Sequence, residues 1–213
     1  MNSMKIKLKN LAAVCAISLF VTPSLAMAKT NSYDWIVRAR ALHVKTDVRS
    51  SVSTIGGHIG TSSDQTPELD FTRFITPNIA AELILATTHH DIYIKDSAVP
   101  NDKIGSVNLL PPTLTLQYHF MPEATFRPYA GAGLNYTFFF NNKPNGVATN
   151  LKYQNHLGYA LQAGFDYMID ERFSVNFDVK KVFLKTNVRV NGLYTAKVNL
   201  DPWIVGVGMG YRF

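Results

Sequence analysis

Residues 200–213 read LDPWIVGVGMGYRF, and one parity of this stretch stays apolar to the last position. Trp203, Val205, Val207, Met209, Tyr211 and Phe213 form one row, with Gly206, Gly208, Gly210 and Arg212 in the other. Successive side chains of an extended chain point to opposite faces, so a period of two predicts a strand with one greasy face. Terminal residues ordinarily fray into polar tails. A strand that stays apolar up to a final aromatic ring is expected to form part of a wall.

The same alternation recurs upstream. Trp35, Val37, Ala39 and Ala41 oppose Arg38 and Arg40, and Ile79, Ala81, Leu83 and Leu85 oppose Glu82 and Ile84. Leu114, Leu116, Tyr118 and Phe120 then oppose Thr113, Thr115, Gln117 and His119, and the pattern continues through 130–140, 157–169 and 173–180. Leu69, Phe71 and Ile75 against Asp70 and Thr72 make a weaker strand, with Arg73 interrupting the apolar row near an expected interface. Eight strands result. Short turns are expected at 76–78, 121–125 and 169–172, and long polar loops at 46–66, 88–106, 141–153 and 185–197.

At the other terminus Lys5, Lys7 and Lys9 precede an apolar run from Leu11 to Val21 and the small-residue pattern Ala26-Met27-Ala28. This is the form of a secretory signal peptide over residues 1–28, with an apolar core too short to span a bilayer as a helix. Its removal leaves a domain over residues 29–213. Cys15, the only cysteine, lies in the leader, so no disulfide or cysteine metal site is expected beyond it. The formal charge of +6 falls to about +3 without the three leader lysines, too mild to argue for nucleic acid.

Alternation alone fits a soluble sandwich, apolar face inward, or a spanning barrel, apolar face to lipid. The signal peptide, the apolar terminus and the aromatics near strand ends favour the barrel. Trp35, Tyr118, Phe120, Phe126, Tyr167, Phe173, Tyr211 and Phe213 fall at one interface, and Tyr136, Phe138, Phe140, Tyr159, Phe183 and Trp203 at the other. The fold expected is an eight-stranded antiparallel transmembrane β-barrel, with short periplasmic turns, longer extracellular loops and glycines facing a narrow lumen. Closure would pair the last strand with the first, leaving no backbone edge in hydrocarbon.

Arg127-Pro128-Tyr129 followed by Gly131, Gly133 and Asn135-Tyr136, the segment Leu110-Pro111-Pro112-Thr113-Leu114, Leu200-Asp201-Pro202-Trp203 and Gly210-Tyr211-Arg212-Phe213 together resemble the OmpW family of Gram-negative outer-membrane proteins. The resemblance implies an eight-stranded barrel that lets small hydrophobic compounds cross the outer membrane, with a possible lateral exit, a role in stress adaptation and use as a receptor by phages or toxins. It also implies a constriction of two bulky apolar lumen residues, which would fall at Ile84 and Lys180. Lys180 departs from that character and puts such a gate in doubt. Tyr211 and Phe213 resemble the terminal signal read by the barrel-assembly machinery.

Among candidate sites, Ile84, Phe139 and Phe71 are expected along an apolar route, and Lys180 is expected to alter its selectivity. By parity Phe71 faces lipid unless its strand carries a bulge. Pro111 and Pro112 cannot donate to a ladder, so they mark either a lateral opening or a local bend at a strand start. Arg38, Arg40, Glu82, Asp166, Asp178 and Lys180 point inward by parity and are expected to pair and plug the lower lumen. His89 and His90 are adjacent on a strand and point to opposite faces, which disfavours a shared metal. His43, Ser106 and His156 show no catalytic spacing, so no enzyme and no cofactor is expected. The partners expected are outer-membrane lipid, small hydrophobic solutes and the assembly machinery, for a monomer. The alternative is a non-transporting platform whose loops bind phage, toxin or host, or a structural stress-response protein.

Overall fold

The computed structural model describes residues 34–52, 58–95, 102–145, 150–190 and 194–213. The expected leader over 1–28 lies outside them, as do the loop glycines Gly56, Gly57 and Gly146. Eight strands build the wall: β1 Trp35–Lys45, β2 Asp64–Phe74, β3 Ile79–Ala86, β4 Thr113–His119, β5 Phe126–Pro144, β6 His156–Met168, β7 Phe173–Phe183 and β8 Trp203–Arg212. Each pairs antiparallel with its sequence neighbour, and β8 pairs with β1 to close the ring. At the join, Trp35 N donates to Phe213 O at 3.1 Å and Phe213 N donates to Trp35 O at 2.9 Å. Closure pairs the last strand with the first, so neither is left as a free edge in hydrocarbon.

The predicted parity is observed. Leu114, Leu116, Leu134, Leu161, Val207 and Met209 stand exposed on the outside, while Arg38, Thr72, Glu82, Asn176 and Asp178 are fully buried in the lumen. Most of the aromatic rows are also exposed at both ends of this band, with Tyr211 and Phe183 half-buried, and Arg73 projects over the Trp35 ring at 5.4 Å. Glycine does more than leave room in the lumen. A Cβ on Gly208 would run into the Ala39 carbonyl oxygen of the adjacent strand, so this glycine permits close backbone approach in the wall. A Cβ on Gly164 would meet the Tyr129 hydroxyl at 2.6 Å as well as the Phe177 carbonyl oxygen.

The long connections differ from expectation, because much of their length continues the ladder. Arg49–Val52, His58–Thr61, Thr88–Lys95, Asp102–Leu110, Leu151–Tyr153, Lys185–Val190 and Tyr194–Asn199 are all strands that extend the wall upward. Where their side chains are described, their facing is inverted relative to the lower wall. Ile92, Ile104, Val107, Leu109, Val188 and Val198 are buried in one cluster. β1 shows the change within a single strand: Arg38 and Arg40 are inward below, Leu42 and Val44 inward above, and His43 and Lys45 outward above. Lipid outside and charge inside thus give way to water outside and apolar packing inside, the arrangement of a soluble barrel.

Candidate functional site

The lower lumen is filled by ion pairs. Arg38 grips Asp166 with two parallel bonds, Nε to Oδ1 at 3.0 Å and Nη2 to Oδ2 at 2.7 Å, and its Nη1 donates to Asp70 at 3.1 Å and Thr72 at 2.7 Å. Arg40 reaches Glu68 at 2.6 Å, Asp70 at 3.0 Å, Glu82 at 3.2 Å and the Asn176 side-chain Oδ1 at 2.6 Å. Lys180 Nζ bridges Glu68 at 2.8 Å and Asp178 at 2.9 Å. Tyr129 donates its hydroxyl to Asp178 at 2.8 Å, and Gln162 and Thr115 donate to Glu82 at 2.7 and 3.1 Å. Charges cut off from water must be paired in this way. The glycines of β8 give the arginines space, since Gly206 and Gly210 lie against the Arg40 and Arg38 stems.

Above this floor the lumen opens into an apolar vestibule with a cavity of about 80 Å³, several times what one water needs. Leu42, Val44, Ile92, Val107, Leu109 and Val188 line its walls, Phe139 stacks on Tyr153 at 5.3 Å beside it, and Glu68 and Lys180 reach its base. Ile84 and Lys180, the two positions of the expected constriction, both line it. Lys180 is held there by the Glu68 and Asp178 carboxylates, so the pair is of mixed rather than apolar character.

One seam of the wall beside the vestibule lacks ladder pairs. The β3–β4 ladder ends at Ile84 and Thr113, and pairing resumes only at Thr88 and Leu109. Between them Leu85, Ala86 and Thr87 face Leu110, Pro111 and Pro112 without a ladder pair. The other side of the prolines remains stitched, with Tyr136 N donating to Pro112 O at 3.0 Å. Ala86, Thr88, Leu109 and Pro111 border both the seam and the cavity.

Comparison with known proteins fits this construction. The sequence profile of the OmpW family matches residues 31–213. The chain belongs to the OmpW family. An uncharacterized outer-membrane protein, y4mB, of Sinorhizobium fredii is 43% identical over 91% of this chain and 86% of its own. Outer membrane protein W of Vibrio cholerae is 33% identical over 94% of this chain and 98% of its own. Among solved structures, OprG of Pseudomonas aeruginosa superposes with a TM-score of 0.79 at 30% identity, covering 85% of this chain and 96% of that one. This OmpW-family chain is therefore an outer-membrane barrel, and the end carrying the strand extensions is extracellular.

Other expected positions fall as follows. Phe71 pairs with Val37 and Leu83 in the outward row, and the ladder there has no bulge, so it points to lipid and is not a lumen contact. His89 is exposed and His90 is buried against the Ser62 carbonyl, on opposite faces. His43, Ser106 and His156 lie on separate strands, with His43 in the outward row and His156 exposed at its strand end opposite Thr137 of the inward row. Glu68, Asp70 and Tyr129 belong to the lumen network though sequence reasoning did not place them in it. The parity of Asp70 and Thr72, carried back two residues, identifies Glu68.

Proposed function

We propose that this OmpW-family barrel gives passive, non-catalytic passage to small hydrophobic molecules. A solute enters the vestibule from outside, meets the ion-paired floor and leaves sideways through the Pro111-Pro112 seam into the outer leaflet. The observation that carries this reading is the contact between an apolar cavity and a gap in the wall, directly above a floor that an apolar molecule has no means to cross. Burial of apolar surface draws the solute in, at about 25 cal/mol per Å², and lipid beyond the seam is an equally apolar sink. A polar solute gains nothing from either. The test is flux into liposomes holding the purified barrel, comparing an apolar solute with a polar one of similar size. Faster entry of the apolar solute is expected. Equal rates for the two, or no barrel-dependent flux of either, would refute the proposal and leave a surface platform.

A further inference from the structure

The outer face carries a second arrangement, independent of the lumen. Lys45 of β1 and Lys181 of β7 are both in register with Trp203 of β8, and all three stand on the outward row at the extracellular end of the apolar band. Neighbouring strands lie about 4.8 Å apart, which puts the two lysine backbones about 10 Å from each other across the tryptophan. Both long side chains can reach one group above the ring. Lys181 Nζ lies 4.9 Å from the Trp203 ring centroid and donates to the Asp201 carbonyl oxygen at 2.6 Å, leaving two of its three protons available. Lys45 is exposed. Among the described residues the acids on this edge are Asp47, Asp64 and Asp201; Asp64 accepts the Gln65 and His89 amides, and the Asp201 carboxylate accepts the Leu184 amide at 3.1 Å.

Directly below the lysines the wall is troughed. Ala41 pairs with Val207 on one side and Pro67 on the other, all outward, and Val205 pairs with His43 one step higher. These residues with Gln65 border an open groove on the outer surface. A small alanine between larger walls makes a channel suited to an extended acyl chain, and it leads up to the Lys45, Trp203 and Lys181 cluster. Two cations at the upper edge of an apolar trough match a lipid with a phosphate headgroup. Their height matches the outer leaflet, which in a Gram-negative outer membrane is made of phosphorylated glycolipid rather than glycerophospholipid.

We infer that the outer face of β1, β7 and β8 is a docking site for a phosphorylated glucosamine lipid of the outer leaflet. The phosphate sits between Lys45 and Lys181 over Trp203, and one acyl chain lies along the Ala41 trough. The position of the lysines at the band edge limits their cost in the membrane, which is large only near its midplane.

The full mature protein in phosphatidylcholine vesicles, with Trp35→Phe so that Trp203 is the sole indole, allows energy transfer from Trp203 to a dansyl-labelled lipid A. Competition by unlabelled lipids then measures relative affinity, with circular dichroism confirming an intact barrel. Diphosphorylated lipid A is expected to compete better than phosphatidylcholine by more than about tenfold at low salt, and Lys45→Gln and Lys181→Gln are each expected to lower that advantage about fivefold. Lys181→Arg should retain it, and Arg73→Gln, at the opposite interface, should leave it unchanged. Ala41→Phe should lower it by filling the trough. Unchanged affinity in both lysine variants would overturn the inference, as would equal competition by dephosphorylated lipid A. Phosphatidylglycerol competing as well as lipid A would also overturn it, since that outcome indicates general attraction of anions.

Discussion

Lys180 Nζ lies 2.8 Å from Glu68 Oε1, at the level where the lumen changes from charged to apolar. Five carboxylates, Glu68, Asp70, Glu82, Asp166 and Asp178, share three cations, Arg38, Arg40 and Lys180, in this floor. Each cation therefore serves more than one acid, and losing one leaves buried charge uncompensated. Lys180→Met is expected to destabilise the barrel by about 3 kcal/mol, read as a shift of the urea midpoint in detergent. Adding Glu68→Gln should recover part of the loss, and a double variant as unstable as the sum of both singles would contradict this coupling.

The seam makes a separate claim. Replacing Pro111 and Pro112 with alanine restores two backbone donors opposite Leu85, Ala86 and Thr87 and lets the β3–β4 ladder zip through the gap. Uptake of an apolar solute by the purified barrel in liposomes is expected to fall severalfold at equal barrel content. Undiminished uptake would reduce the prolines to a local bend.

Crowding at Gly164 gives a third outcome. A valine there would press on the Tyr129 hydroxyl and the Phe177 carbonyl oxygen, both fixed by the floor and the wall. Overpacking of this kind costs about 1–3 kcal/mol. Gly164→Val should lower the yield of folded barrel in refolding from urea, whereas Gly164→Ala should do so less.

Polarity inversion along the wall predicts a dependence on height. Leu116 is 57% exposed in the apolar band, and Leu116→Arg is expected to cost about 2–4 kcal/mol. His43 is exposed near the upper end of the same outer surface, and His43→Arg should change stability by less than about 0.5 kcal/mol. Equal costs at the two sites would mean that the membrane does not lie where the exposed leucines place it.

The turn after β6 supplies a pH test. Asp170 Oδ1 accepts the amides of Phe173 and Arg172, both at 2.7 Å, and these bonds hold its carboxyl below the usual carboxylate range. A depressed value means that its stabilisation is complete above the unfolded-state value of about 3.9 and fades as pH falls through the folded one. The gap in urea midpoint between the native protein and Asp170→Asn should stay constant near neutrality and shrink below about pH 4. A gap independent of pH would exclude this origin.

The membrane half of the barrel was legible because one rule, apolar out and polar in, holds from Val37 to Ala41 and from Phe173 to Lys180. The upper half was not, since the rule reverses there. THHDIYIK reads as a polar loop if the apolar row is sought outside, yet His90 and Ile92 face inward as a strand requires. Phe71 shows the opposite failure: its place on the apolar route needed a bulge in its strand, and the regular ladder leaves simple parity to point it to lipid. Inward charges could be picked by parity, but their partners could not, because Arg38 and Asp166 are 128 residues apart and meet only once the ring closes.

The two aromatic belts also act as a ruler. On β8 eight residue steps separate Trp203 from Tyr211, about 26 Å along the strand and about 20 Å of height at a tilt near 40°. That span suits a thin bilayer and would leave hydrophobic mismatch in a thick, sterol-rich one. Measured thickness preference among lipids of graded chain length thus becomes a physical signature of where this wall is built to reside.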